Sequence, residues 1–361
     1  MPEERSGCAS AGRGPRRWRA VPAAVAGMIV LAVASGGCTA SSGPPSSTGG
    51  SRASHGSGQP PGGTMSARAG VRRGVMFGGD VPLAMAESKL GRKLAIVRVY
   101  GRLGRPFNNP KVDRIMAAGT TVLASLDTFP GGARYPAITA GREDAAIKSW
   151  LNEVERSAIK YRLPAIYVTF EHEANVPSHH RGLGTPAQFV QAWDHIHRLA
   201  AAAHLNWNDG GRLHWVLILT HFAYADGQAS RFWPGTREVD IVGADGYNTG
   251  GCRRPGHGSQ APPVSPASLF SGVVSFAAAH GRIPVFIAEW GSVAYPAPGV
   301  RAGFIRQMQA FVDANPLIAA ALYWDSEVPH CNYEINDSSS SLAALASMGH
   351  APDMQGQVAG G

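Results

Sequence analysis

Past residue 72 the chain alternates short apolar runs with longer amphipathic stretches. Eight runs rich in β-branched, aliphatic and aromatic residues fall at 73–79, 94–101, 121–127, 165–173, 214–221, 241–248, 284–291 and 320–327. Each turns polar or glycine-rich only at its end, the pattern of a strand buried on both faces that meets solvent where it leaves the sheet. Between them lie helical patterns. In 144–161, Ala146, Ile147, Trp150, Leu151, Val154, Ala158 and Ile159 form a stripe at 3.6-residue spacing. Thr185-Pro-Ala-Gln188 opens another helix, with Thr as N-cap and Pro at the first position, running to about 204. Residues 266–280 and 300–314 are further helices. Strands alternating with helices require crossover connections and a parallel sheet. Eight such repeats predict an α/β fold closed into a (β/α)8 barrel, a single domain over residues 69–350.

The amino terminus breaks this pattern. Arg16, Arg17 and Arg19 precede an apolar run at 20–34, too short to span a bilayer comfortably, which reads as the core of a secretory signal within residues 1–37. Ser35-Gly-Gly-Cys38 resembles a bacterial lipoprotein box, so Cys38 is the candidate lipidation site, with ordinary cleavage nearby as the alternative. Residues 38–68 are mostly Ser, Gly and Pro and cannot bury enough surface to fold. They are expected to be a disordered spacer. Residues 351–361 are expected to be a C-terminal tail. The expected location is outside the cell interior, either lipid-anchored or secreted, with no membrane contact besides the anchor.

Charge and cysteines narrow the picture further. The net charge is +8, but residues 1–37 hold five arginines against two glutamates, which leaves +5 for the remainder. Its basic residues are scattered, a solvated surface rather than a nucleic-acid footprint. Of four cysteines, Cys8 lies in the leader and Cys38 is the lipid candidate. Cys252 and Cys331 follow strands in an exported domain and are disulfide candidates, two free thiols being the alternative.

Candidate chemistry concentrates at two strand ends. Ile166-Tyr-Val-Thr-Phe-Glu-His-Glu-Ala-Asn175 carries Glu173, and Pro284-Val-Phe-Ile-Ala-Glu-Trp-Gly291 carries Glu289. In a parallel barrel both exits share one rim, which puts two carboxyl groups together as glycosidic bond cleavage requires. Regular alternation would place Glu171 on the same side as Glu173, a rival for the acid unless the strand end is bulged. The His172-Glu173 pair invites a zinc reading, but position 176 is Val and Pro177 interrupts any helix. No metal and no cofactor are expected. A serine nucleophile elbow and a nucleotide-binding glycine loop are both missing from the sequence. Trp150, Trp193 and Trp215 fall within helix or strand patterns and read as core.

Four segments are similar to glycoside hydrolase family 26. They are Ile138-Thr-Ala-Gly-Arg-Glu-Asp144, His172-Glu-Ala-Asn175, Phe232-Trp-Pro-Gly-Thr-Arg-Glu-Val-Asp-Ile-Val-Gly-Ala-Asp-Gly-Tyr-Asn248 and Phe286-Ile-Ala-Glu-Trp-Gly291. The likeness spans roughly 72 to 330 and implies a retaining β-glycosidase acting on a β-1,4-mannan or a related β-glycan. By that resemblance Glu173 is the acid/base and Glu289 the nucleophile, with His172 and Asn175 orienting Glu173. Tyr247 would hydrogen-bond the nucleophile, Asp245 would line the site, and Trp324 would be the stacking floor for a sugar ring. His221, at the end of the fifth strand, is a candidate substrate contact or else an ordinary barrel histidine. The chain departs from the family where Thr169 replaces an arginine and where Val176-Pro-Ser-His-His-Arg181 replaces aromatic residues. Asp325 also stands after Trp324, where some mannan-cleaving members carry a basic residue. The expected partner is a polysaccharide, and a monomer is expected. A mixed-linkage β-glucanase of the same clan, and a surface carbohydrate-binding barrel without turnover, are the alternatives.

Overall fold

The computed structural model describes residues 74–128, 132–179, 181–250, 252, 262–328 and 331–357. The leader, Cys38 and the 38–68 spacer lie outside the described residues. Eight strands form the centre: β1 Met76–Asp80, β2 Ile96–Arg102, β3 Thr121–Asp127, β4 Ile166–Phe170, β5 Leu213–Thr220, β6 Ile241–Asn248, β7 Val285–Ser292 and β8 Ile318–Tyr323. They pair in chain order, and β8 returns to β1 in parallel, with Met76 opposite Ala320, so the barrel is closed. Helices run between the strands, among them Asp144–Lys160, Pro186–Ala202, Pro266–Ala279 and Val300–Ala314. Thr185 and Gln188 cap the second of these reciprocally, a capping box that fixes where the chain turns helical.

Two apolar clusters follow from strand alternation. Outward residues such as Val97, Val122, Val168 and Trp290 pack against the helices. Inward residues, among them Met76, Ile96, Leu123, Tyr167, Val216, Ile218 and Phe286, fill the barrel floor. Toward the strand ends the inward file turns polar: Ile96, Arg98, Tyr100 on β2; Leu123, Ser125, Asp127 on β3; Ile241, Gly243, Asp245, Tyr247 on β6. The apolar floor closes the interior to water, and the polar upper layer is where chemistry has room.

Three strand ends differ from the sequence reading. β4 stops at Phe170 rather than 173, because Glu171 (φ 50°) and Glu173 (φ 54°) enter the left-handed region. The ladder survives the kink: Glu171 N–H donates to Leu126 O at 3.1 Å and Glu173 N–H to Ile218 O at 2.9 Å. β8 stops at Tyr323 rather than 327. The next residues form a small antiparallel hairpin, β9 Glu327–Val328 with β10 Cys331–Asn332. β5 gives way at His221 to a short helix, His221–Ala225.

The segment expected as a tail is, to residue 356, part of the barrel. Pro352–Met354 is a 3-10 turn whose Met354 is fully buried. Val75 N–H donates to Asp353 O at 2.6 Å and Gly356 N–H to Val75 O at 3.0 Å. A Cβ at Gly356 would sit 1.9 Å from Gly74 O, so only glycine permits this approach.

Candidate active site

Glu289 reaches the interior through a bulge. Ala244 pairs with Ile287 and Asp245 with Glu289, which leaves Ala288 as an extra residue in β7. Unbroken alternation from the inward Phe286 would have turned Glu289 outward; the extra residue turns it back in. Glu289 is 6% exposed. Its Oε1 lies 3.3 Å from Arg98 Nε and accepts the Tyr100 hydroxyl, and its Oε2 accepts the Tyr247 hydroxyl. Burial and the neighbouring carboxylate both hold the two phenols protonated well above their usual range. Tyr100 as a whole is nonetheless 40% exposed.

Arg98 is 1% exposed and sits 4.6 Å over the Tyr100 ring, with Nη1 donating to Leu123 O at 3.3 Å. Burial works against its charge. The surrounding Tyr100, Glu289, Asp245 and Asp127 outweigh that and push its pKa further up, so it stays a cation. Asp245, 1% exposed, feels the opposite pressure: burial first, then Glu289 and Glu173, push it well above the ordinary carboxylate range. Glu173, just past the end of β4, and Glu289, near the end of β7, both lie on the C-terminal rim, and both charges add to the upward pressure on Asp245 and Tyr247.

Glu173 is 9% exposed, with Oε2 at 3.1 Å from His179 Nδ1. Its neighbour His172 points its Nδ1 at Asp127 Oδ1, 3.1 Å away, and the His172 N–H donates to the same oxygen at 3.3 Å. Burial alone would depress the imidazole, but Asp127 prevails and its pKa rises to about 9. The ring also leans on Tyr100, centroids 5.3 Å apart. Asn175 binds Thr220 on β5 rather than Glu173: its Nδ2 donates to Thr220 Oγ1 at 2.6 Å and its Oδ1 accepts the Thr220 N–H at 2.9 Å. It fixes the turn that carries Glu173 instead of touching the carboxyl. His221 Nδ1 lies 3.3 Å from Asp245 O, and burial lowers its pKa. Glu171 is tied to Thr128, whose N–H and hydroxyl both donate to its Oε1 at 2.5 Å.

Trp324 follows β8, half-buried, its ring edge-on to Tyr100 at 5.9 Å and its backbone N–H donating to Trp290 O at 2.8 Å. Tyr247 packs against Tyr333 at 5.2 Å, and the loop carrying Tyr333 is joined to the β6 exit by a Cys252–Cys331 disulfide, S–S 2.10 Å. Four residues of the pocket have no counterpart in the sequence reading: Arg98, Tyr100, Asp127 and His179. A signal for the first two existed, since Arg98 and Tyr100 share the inward phase of an otherwise apolar strand.

Fold and pocket together define a closed barrel whose C-terminal rim holds two glutamates, one ringed by phenols and a cation. Among solved structures the chain is similar to the catalytic domain of a Bacillus sp. GH26 endo-β-1,4-mannanase, with TM-score 0.54 and 15% identity over 78% of this chain and 87% of that one. A GH26 β-mannanase from Bacteroides ovatus gives TM-score 0.55 and 12% identity over 78% and 90%. A β-mannanase from a symbiotic protist of the termite Reticulitermes speratus, complexed with gluco-manno-oligosaccharide, gives 0.52 and 16% over 79% and 91%. At such identities the shared property is the barrel. No protein-family model matches the sequence, and no curated protein matches it.

Proposed function

We propose that the protein is a retaining β-glycoside hydrolase acting on a β-1,4-mannan or related β-glycan. The observation that carries this reading is Glu289 held between Tyr100, Tyr247 and Arg98, on the same C-terminal rim as Glu173. Glu289 attacks the anomeric carbon while Glu173 gives its proton to the departing glycosidic oxygen. Water then attacks the glycosyl ester, Glu173 takes the water's proton, and Glu289 leaves as a carboxylate. Arg98 and the two phenols fix the attacking carboxylate, and Trp324 offers its indole to the apolar face of the sugar. The mannanase barrels it resembles make mannan the first substrate to test. A carbohydrate-binding barrel without turnover would gain nothing from three donors on one buried carboxylate, which favours catalysis. An exported monomer, lipid-anchored or secreted, completes the proposal.

The test is kinetic. Glu173→Ala and Glu289→Ala should each reduce hydrolysis of β-mannan by at least roughly 10³-fold. Azide should restore turnover of an activated glycoside by Glu289→Ala, and NMR of the first product should show retained β-configuration. Turnover matching wild type in both variants, or an inverted first product, would end the double-displacement reading.

A further inference from the structure

The loop carrying Trp324 is fastened by a residue outside the proposed chemistry. Asp80 ends β1 and is 2% exposed. Its Oδ1 accepts the Leu83 N–H at 3.1 Å, capping the helix Val81–Met85. Its Oδ2 accepts the Asp325 N–H at 3.0 Å and the Ser326 hydroxyl at 2.9 Å. The two residues after Trp324 therefore hang from one buried carboxyl, while Trp324 itself hangs from Trp290 O. Burying a carboxyl is costly, and here desolvation pushes Asp80 up to about 7. Capping alone does not account for tolerating that cost, since Ser, Thr or Asn caps a helix as well. What an amide cannot do is accept from both sides at once: Asn has one acceptor oxygen and would turn N–H groups toward Leu83 or toward Asp325 and Ser326.

We propose that Asp80 is a positioning residue for the Trp324 indole, setting the 324–326 loop so that the ring stands beside Tyr100 in the cleft. The inference rests on Trp324 being the sugar platform of the proposed glycosidase. Asp80 acts through the loop and touches no sugar, so its effect should pass entirely through the indole.

The experiment uses the full-length protein labelled with 5-fluorotryptophan, the Trp324 resonance being assigned by Trp324→Phe. In Asp80→Asn that resonance should shift or broaden, while those of the buried Trp193 and Trp215 hold. On soluble β-mannan kcat/KM should drop roughly tenfold, mostly through KM. In a Trp324→Ala background the same substitution should cost less than about twofold, because a residue acting only through the indole has nothing left to act on. An unmoved Trp324 resonance, or a full tenfold penalty persisting in the Trp324→Ala background, overturns the proposal. If Asp80→Asn does not fold, Ser326→Ala removes one of the two loop bonds and must move the same resonance; an unmoved signal there overturns it equally. A wild type that cleaves no β-glycan would sink the glycosidase reading, while the fluorine resonance still decides the role of Asp80.

Discussion

The His172–Asp127 pair makes a prediction that needs no substrate. Unfolded, the imidazole should titrate near its ordinary 6.5; folded, it titrates near 9. A histidine raised on folding stabilises the native state fully below the unfolded value, and loses that contribution as pH climbs through the folded one. The difference corresponds to about 3 kcal/mol at most, and the His172 side chain, 20% exposed, is shielded enough for much of it to be expressed. Asp127→Asn removes the partner, and burial alone then favours the neutral ring. Urea denaturation of wild type and variant should show a stability gap that is widest near pH 6 and narrows by about 2–3 kcal/mol toward pH 9.5. The His172 ring protons, followed by NMR, should titrate near 9 in wild type and below 6.5 in the variant. A gap independent of pH, or a wild-type ring titrating at 6.5, would show that Asp127 does not hold His172 as a cation.

Other perturbations have equally definite outcomes. Arg98→Met strands Glu289 without its cation and should cost roughly 3–5 kcal/mol in denaturant unfolding, with Arg98→Lys recovering part of it. Glu171→Gln should leave hydrolysis within about twofold of wild type, since Glu171 answers to Thr128, whereas Glu173→Gln should abolish it. Replacing Cys252 and Cys331 by Ser opens a cross-link between residues 79 apart in sequence, and should lower stability by up to about 4 kcal/mol. A reducing agent should reproduce that loss in wild type and leave the variant unchanged.

The barrel was legible because its strands are short, continuously apolar and regularly spaced, and eight strand–helix repeats favour closure over an open sheet. Both glutamates were legible for the same reason: a charge at the end of an apolar run marks an exit from the sheet. What alternation could not show is where it breaks. Nothing in Phe286-Ile-Ala-Glu289 announces that Ala288 is the extra residue, and nothing in Phe170-Glu-His-Glu173 announces two left-handed residues. Those local departures come from pairing with neighbouring strands, which a single sequence does not display. Arg98 and Tyr100 were readable in principle, since an arginine in the inward phase of a buried strand needs a carboxylate partner. His179 was not, because its turn has no period. The closing turn at 352–356 escaped notice because small polar residues and glycine mimic a tail until their contacts with Val75 are seen.

Those contacts have a consequence for how the molecule is made. β1 is flanked on one side by β2 and on the other by a strand more than two hundred residues away, and its first residues are stitched to the turn beyond that strand. A chain emerging amino end first thus carries a bare strand edge until β8 has appeared. Ring closure must wait for β8, and a chain stopped between Tyr323 and Asp353 would keep the β1–β8 ladder but lose the bonds that tie Val75 to Asp353 and Gly356.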